Sequence, residues 1–256
     1  MEQAPLIVEV EDHVMTLTLN RPHVRNAANI ELATLMAEAI DRLESDSNLR
    51  VGIITGAGSN FCAGMDLKRF STDGTRPSLP DRGFCGITEK QPEKVLIAAI
   101  EGYALAGGFE LALACDLIVA SNQARFGLPE VKRGLVAAAG GVMRLPRRIP
   151  YHIAMECILT GDMLDAEAAH SYGLINRLVS PGEALNGAKK LASAIAKNGP
   201  LAVAASKKVV MRSPEWSPSE MFKRQNEIIA PVFDSADAKE GALAFTEKRE
   251  PNWKGM

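Results

Sequence analysis

The sequence lacks the cysteine pattern of a disulfide-rich or zinc-binding protein. Its four cysteines lie far apart and form no C-x-x-C pair, so we expect free thiols in a reducing compartment. The four histidines show no metal-ligand spacing, and there is no G-x-S-x-G serine motif. The cysteines are Cys62, Cys85, Cys115 and Cys157, and the histidines are His13, His23, His152 and His170. These absences argue against a structural zinc domain and a serine hydrolase, and we expect no bound metal.

Aromatic residues, blocks of like charge and long apolar runs are also scarce. Aromatic side chains make up 5% of the 256 residues and do not alternate with basic ones, which argues against a base-stacking surface. The 29 basic and 31 acidic residues give a net charge of −2, and no block of like charge suggests a nucleic-acid arm or a polybasic membrane patch. No apolar run is long enough to span a bilayer, and the N-terminus lacks a signal core. We therefore expect a cytoplasmic protein with no nucleic-acid or membrane partner.

The chain instead contains strand and helix patterns that alternate along its first half, which is typical of an α/β fold. The strand patterns lie at residues 5–20, 51–55, 95–100 and 117–120, and the helix patterns lie at residues 29–45 and about 107–114. Residues 71–92 hold Gly, Pro, Ser, Asp and Thr without a sustained period. This composition predicts a long surface loop.

The second half of the chain is predominantly helical in pattern. From about residue 139 onward, the helical spacing is interrupted by residues 174–179, which are predicted to be extended. The sequence Asn198-Gly199-Pro200 marks a plausible boundary. We therefore divide the chain into a core of residues 1–198 and a helical C-terminal module of residues 199–256.

Two glycine-rich turns each follow a predicted buried strand and lead toward a helix. They are residues 55–66 (TGAGSNFCAGMD) and residues 101–110 (EGYALAGGFE). Backbone N–H groups at the start of a helix have no intrahelical acceptor, so such a turn suits an oxyanion. Tight turning and close packing are the alternative explanation for these glycines. Phe61 occupies the third position of a dinucleotide-binding fingerprint, and no GK[ST] sequence is present, so neither turn matches a usual nucleotide site.

Two glutamates are candidates for proton transfer. Glu110 lies in an otherwise apolar helical segment, so we expect its carboxyl group to be partly desolvated. An acid near a helix start is also favourable simply because of the helix dipole. Glu130, in the sequence FGLPE, follows a strand end and opens the next segment.

These motifs together resemble the enoyl-CoA hydratase (crotonase) family in order and spacing. The likeness rests first on residues 61–67 (FCAGMDL), 101–111 (EGYALAGGFEL) and 124–130 (ARFGLPE). It continues through Gly140-Gly141, Arg144-Leu145-Pro146, Gly173-Leu174-Ile175-Asn176 and residues 245–249 (FTEKR). The resemblance therefore covers about residues 5–254.

The resemblance implies a fold, a substrate class and an assembly. The core would be a crotonase-like spiral of repeated ββα units, and the helical C-terminal module would build homo-trimers, often paired into hexamers, and complete the coenzyme A site. The substrate would be an acyl-CoA thioester. Coenzyme A is part of that substrate, so no separate cofactor is implied.

The resemblance also implies roles for individual residues. The N–H groups of Ala63 and Gly107 would bind the thioester oxygen, Glu110 would activate water, and Glu130 would protonate C2, although the two glutamates could share both roles. Contacts with coenzyme A would fall on Arg25, Ala63, Gly64, Met65, Asp66, Leu67 and Lys248.

The sequence departs from the family at two places near these motifs. Ala106 replaces a common glycine, which matters if the turn needs a positive φ. Residues 136–139 lack the aspartate of several relatives, which weighs against dienoyl isomerisation and dehalogenation. We predict a 2-enoyl-CoA hydratase. The alternatives are a carnitinyl-CoA-type dehydratase, a Δ3,Δ2-enoyl-CoA isomerase and an acyl-CoA-binding protein without turnover.

Overall fold

The structure is a computed structural model that describes residues 4–256, so the first three residues of the predicted core lie outside it. The strands are β1 (Leu6–Glu11), β2 (Val14–Leu19), β3 (Val51–Gly56), β4 (Ser78–Leu79), β5 (Gly83–Phe84), β6 (Val95–Ile100), β7 (Tyr103–Leu105), β8 (Leu117–Ser121), β9 (Arg125–Gly127), β10 (Leu164–Asp165) and β11 (Arg177–Val179). The helices are α1 (Ile30–Ser45), α2 (Leu67–Asp73), α3 (Gly107–Ala114), α4 (Gly141–Arg144), α5 (Tyr151–Thr160), α6 (Ala166–Ser171), α7 (Ala184–Ala196), α8 (Pro200–Arg212), α9 (Met221–Phe233) and α10 (Ala236–Glu247). Most of the predicted strands and helices are present within a few residues of their expected ends.

A six-stranded sheet of order β1-β2-β3-β6-β8-β11 forms the centre of the fold. The β1–β2 pair is an antiparallel hairpin, and the other neighbouring pairs are parallel. All six residues of β6 are buried, as expected for a parallel strand covered on both faces. Parallel strands end at one edge of the sheet, so the turns that follow them gather there.

A second, smaller sheet of three strands lies beside the large sheet. Its β7 pairs with β9 in parallel, and β9 pairs with β10 in antiparallel orientation. Isolated bridges join Cys62 to Ala104 and Ala28 to Met65, so the pairing of the small sheet extends to earlier parts of the chain. The order β6, β7 and α3 shows the repeating unit: one strand in the large sheet, one strand in the small sheet, and then a helix. This arrangement is the predicted spiral of ββα units.

The two faces of the large sheet are covered by different helices. Ile54 and Leu96 point to the face that α1 covers, whereas Ile53 and Ile97 point to the face that α7 covers. The buried face of α7 consists mainly of alanines at four-residue spacing, which lets the helix axis lie close to the sheet. These residues are Ala184, Ala188, Ala192 and Ala196. The alternation of strand side chains thus divides the core into two apolar layers.

The prediction of a surface loop over residues 71–92 is wrong in part. The first residues complete α2, and β4 pairs with β5 as a short hairpin. Phe84, Cys85, Ile87 and Thr88 are buried. A Cβ placed on Gly107 would lie 2.6 Å from the ring of Phe84, so this segment covers the start of α3. The segment packs through a few separate side chains rather than along one face, and for this reason its sequence shows no period.

The C-terminal part contains three helices, α8, α9 and α10, and Gly199 is the N-cap of the first. Several large apolar side chains of α9 and α10 are exposed on the single chain: Phe222, Phe233, Leu243 and Phe245. The division at residues 198 and 199 stays a prediction, because a helix boundary does not by itself separate two domains. Within residues 4–256, none of the helices combines the length and the apolar character that a membrane crossing requires.

Candidate active site

Glu110 lies one turn inside α3 and is only 3% exposed. Its Oε1 accepts the N–H of Ala139 at 2.7 Å and the N–H of Gly141 at 2.8 Å. Burial raises the pKa of Glu110 above its ordinary value, against the two hydrogen bonds and the nearby Arg144 cation, which lower it. The other oxygen, Oε2, accepts no hydrogen bond from the described residues and is therefore the one available to a ligand or water.

Glu130 lies just after β9, in the 3-10 turn Pro129–Arg133, and is half-buried. Among residues 4–256 its buried Oε2 has no hydrogen-bond partner. Burial and, to a smaller extent, the charge of Glu110 raise the pKa of Glu130 to about 7, although its own backbone N–H and Arg133 oppose this. A carboxyl group with this pKa changes protonation state near neutral pH, which suits an acid–base catalyst.

Strand pairing brings the two glutamates together. Because β7 pairs in parallel with β9, Leu105 lies opposite Gly127, and the N–H of Ala106 donates to the carbonyl oxygen of Gly127 at 2.9 Å. Glu110 and Glu130 therefore follow the same end of two adjacent strands. None of the ion pairs within the described residues includes either glutamate. Each carboxyl group therefore keeps an oxygen, Oε2 in both, without a partner among the described residues.

The first glycine-rich turn supplies a different N–H donor from the one predicted. The N–H of Ala63 already donates to the carbonyl oxygen of Arg25 at 3.0 Å. Met65 forms a parallel bridge with Ala28, and the two hydrogen bonds of that bridge are donated by Ala28 and Asp66. In such a bridge the N–H of the central residue points away from its partner strand. The prediction of Ala63 as an oxyanion donor is therefore wrong. Between Phe61 and Asp66, the N–H of Met65 is the one that has no acceptor among the described residues.

Gly107 supplies the second free N–H. As the first residue of α3 it has no intrahelical acceptor, and no other hydrogen bond from its N–H is found in the described part of the chain. A Cβ placed on Gly64 would lie 3.2 Å from the nitrogen of Gly107, so the two turns touch. The start of α3 also adds the positive end of a helix dipole. Met65 and Gly107 thus form a pair of backbone donors beside the glutamates.

The residues predicted to contact coenzyme A are placed in two regions. Arg25 is exposed, and its guanidinium carbon lies 5.7 Å from the ring centroid of Tyr103, beside the turn that holds residues 63–67. Asp66 forms an ion pair with Arg21 at 3.0 Å and caps α2, so its carboxylate holds the turn in place. Lys248 lies at the end of α10, and among residues 4–256 no hydrogen bond or ion pair connects its side chain with that turn.

Two structural residues of this region escaped the sequence analysis. Asn26 is fully buried and has φ 57°, and its amide donates to the carbonyl oxygens of Ala57 at 2.9 Å and Asn60 at 2.7 Å. Its Oδ1 accepts the N–H of Arg21 at 2.9 Å. Asn26 therefore joins the segment before α1 to the first glycine-rich turn. The sequence signal was weak, because an asparagine between two short polar stretches looks like an ordinary turn residue.

The second is Arg144, which lies in a stretch used only for the family resemblance. Its guanidinium group donates to the carbonyl oxygens of Ala139 and Thr88. The local sequence gave no indication of either partner, because Thr88 lies 56 residues away in the chain.

Sequence comparison matches the chain to the enoyl-CoA hydratase/isomerase family over residues 9–256. The chain belongs to this family. It is similar to the carnitinyl-CoA dehydratase of Proteus mirabilis (strain HI4320), with 44% identity over 94% of this chain and 95% of the relative. It is also similar to the enoyl-CoA hydratase EchA19 of Mycobacterium tuberculosis (strain ATCC 25618 / H37Rv), with 41% identity over 96% of this chain and 95% of the relative.

Solved structures of enoyl-CoA hydratases confirm the fold class. The crystal structure of enoyl-CoA hydratase EchA1 from Mycobacterium marinum shares 54% identity with this chain and has a TM-score of 0.96, over 99% of this chain and 100% of that one. The α/β spiral with a helical C-terminal part, predicted from the motifs, is therefore the fold of this enoyl-CoA hydratase/isomerase family member.

We expect Asn26→Ala to destabilise the protein by about 2–4 kcal/mol, because it leaves two partly buried carbonyl oxygens and one N–H without partners. Urea unfolding followed by circular dichroism measures this change. Asn48→Ala is the matched control, since that asparagine is exposed. Equal unfolding midpoints for Asn26→Ala and the control would show that Asn26 does not hold the turn.

We expect Ala106→Gly to stabilise the protein by about 1 kcal/mol, because Ala106 has φ 51° and ψ −131°, a conformation that strains residues with a Cβ. Ala104→Gly in β7 is the control and should destabilise, because Ala104 is buried in an ordinary strand. Thermal and urea unfolding measure both. A loss of stability in Ala106→Gly comparable to the control would contradict the strain.

Proposed function

We propose that this family member is a 2-enoyl-CoA hydratase, which adds water reversibly across the C2=C3 double bond to give a 3-hydroxyacyl-CoA. The proposal rests on the convergence of two carboxyl groups, buried Glu110 and half-buried Glu130, each with an oxygen Oε2 that has no partner among the described residues, beside two free backbone donors. The similarity to proteins named enoyl-CoA hydratases supports the same reaction.

The backbone donors would stabilise the charge that develops during the reaction. Attack on C3 moves the π electrons of the double bond toward the thioester, and negative charge collects on its oxygen. The N–H groups of Met65 and Gly107 are fixed by the fold before the substrate arrives, so they need no reorganisation at that moment. Loss of one such donor in other enzymes lowers the rate by about 10²–10³.

The two glutamates would divide the proton transfers. Glu110 has one oxygen fixed by two N–H groups, so its Oε2 takes the proton from the water whose oxygen bonds to C3. Glu130, protonated near neutral pH, gives its proton to C2 as the enolate collapses. One proton is taken and one is given, so a molecule of water is added. Passage of the proton from Glu110 to Glu130 restores the starting state.

The proposal also covers the contacts with coenzyme A and the assembly of the chain into an oligomer. Arg25 is an exposed cation beside the donor turn, which suits the phosphates of coenzyme A. Gly64, Met65, Asp66 and Leu67 would line the rest of that contact, and Lys248 would approach from α10. The exposed apolar side chains of α9 and α10 support burial between copies of the chain, in a trimer or hexamer.

A dehydratase of the carnitinyl-CoA type is the second candidate, favoured by the 44% identical relative of that name. Dehydration of a 3-hydroxyacyl thioester is the reverse of hydration and uses the same donors and carboxyl groups. An isomerase needs only one carboxyl group for its proton shuttle, so two free glutamates favour hydration or dehydration. A protein that only binds acyl-CoA would need neither glutamate.

We expect Glu110→Gln and Glu130→Gln each to lower the hydration of crotonyl-CoA by at least about 10², because each removes one proton-transfer group. Loss of the conjugated thioester absorbance measures turnover, and circular dichroism checks the fold. Glu38→Gln, an exposed change on α1, is the control and should retain activity.

Unchanged turnover in both active-site variants would reject the mechanism. Loss of Δ3,Δ2-isomerisation in Glu130→Gln alone would indicate the isomerase. A panel of short, long, branched and steroid-derived enoyl-CoA substrates together with carnitinyl-CoA would then define the preferred acyl group.

The hydration rate should depend on pH through Glu130. Since its pKa is raised to about 7, the protonated acid is present below that pH and is lost above it. We therefore expect kcat/KM for hydration to fall as the pH rises above about 7. The value of kcat/KM for dehydration should fall in parallel, because the ratio of the two is the equilibrium constant of a reaction that takes up and releases no proton. Initial rates in both directions measure this. A hydration rate that stays constant well into the alkaline range would contradict the role of Glu130.

A further inference from the structure

The loop at residues 139–141 determines how Glu110 is held. Two of its N–H groups, from Ala139 and Gly141, converge on the single oxygen Oε1. For two N–H groups so close in sequence to meet at one point, the chain must turn sharply between them. Gly140 makes that turn with φ 102° and ψ 0°, in the left-handed region. The geometry of this loop therefore sets the direction of the carboxylate.

Arg144 ties this loop to a distant part of the chain. Its Nη1 donates to the carbonyl oxygen of Ala139 at 3.0 Å, and its Nη2 donates to the carbonyl oxygen of Thr88 at 2.5 Å. A Cβ placed on Gly140 would lie 2.0 Å from Nη1, so the guanidinium group also packs directly against the turn. Arg144 thus contacts the same peptide segment that holds Glu110.

The charge of Arg144 lowers the pKa of Glu110, as do the two N–H groups of the loop. The charged groups around the loop are Glu110 on α3, Glu130 after β9, Arg144 on α4, Arg148, which acts on Arg144, and Arg133, which acts on Glu130. Further titratable side chains nearby are Tyr103 in β7, Cys85 in the segment after β5 and Cys115 at the C-terminal end of α3, which interacts with Arg144. Of these cations, Arg144 is the one that lowers the pKa of Glu110 against the effect of burial.

We propose that Arg144 is a positioning residue for Glu110: by joining the carbonyl oxygens of Ala139 and Thr88, it holds the loop whose N–H groups orient the glutamate. Arg144 acts through this loop and does not touch the substrate. The proposal rests on the proposed function, in which ionised Glu110 accepts a proton from water. It also gives the buried segment around Thr88 a role, since that segment anchors the second half of the guanidinium group.

Arg144→Met and Arg144→Lys test this proposal against the control Arg148→Met. Arg148 is an exposed neighbouring cation, so its removal changes the net charge by the same amount without breaking the loop contacts. We expect Arg144→Met to lower kcat about 10- to 100-fold with little change in KM, and to move the acid limb of the kcat/KM profile to higher pH. Arg144→Lys should restore the position of that limb, because it keeps the charge, but only part of kcat, because one amine cannot bridge two carbonyl groups as a guanidinium does.

The pKa of Glu110, measured directly, separates this proposal from the proposed function. Carboxyl ¹³C NMR with labelled glutamate, assigned by the signal lost in Glu110→Gln, gives that pKa without any substrate. A higher pKa in Arg144→Met and an unchanged one in Arg148→Met would support the positioning role even if the wild type hydrated none of the enoyl-CoA panel, a result that would reject only the proposed function. Equal pKa values in the wild type and Arg144→Met, or equal shifts in Arg144→Met and Arg148→Met, would overturn it. If Arg144→Met does not fold, a wild-type kcat in folded Arg144→Lys would overturn it as well.

Discussion

Two backbone N–H groups from the loop at residues 139–141 fix one oxygen of Glu110, and the arrangement of the site depends on this contact. A carboxylate in an apolar helix is costly to bury, and burial raises the pKa of Glu110. The two N–H groups offset part of that cost and occupy one oxygen only. The second oxygen is left free, so the same contact stabilises the charge and selects the atom that can accept a proton.

The parallel register of the strands brings the remaining groups to this carboxylate. The pairing of β7 with β9 places Glu130 beside Glu110, and the bridge between Ala28 and Met65 turns the N–H of Met65 away from its partner strand. Ala106, at the start of α3, adopts a positive φ in the same region. Strained backbone persists where surrounding hydrogen bonds fix it, and here Ala106 donates to Gly127 in β9 and accepts the N–H groups of Phe109 and Glu110 in α3.

The sequence predicted the elements whose signal is local. Apolar spacing identified the buried strands and α1, glycine-rich turns identified the sharp connections after strands, and an acid in an apolar helix identified Glu110. Glu130 was found by its position after a strand end. The order and spacing of these motifs were enough to indicate the family and its α/β spiral, because each motif reflects a requirement of nearby backbone geometry.

Other features were decided by contacts between segments far apart in the chain. Whether the N–H of Ala63 or that of Met65 is free depends on which one faces Arg25 and Ala28, and no local pattern records this pairing. The burial of the segment around Phe84 likewise depends on its packing over α3. The sequence by itself determined which residues can carry charge, turn sharply or enter a core. Only the tertiary structure decided which of them are left unpaired at one place, because a hydrogen bond made elsewhere removes a donor from the site.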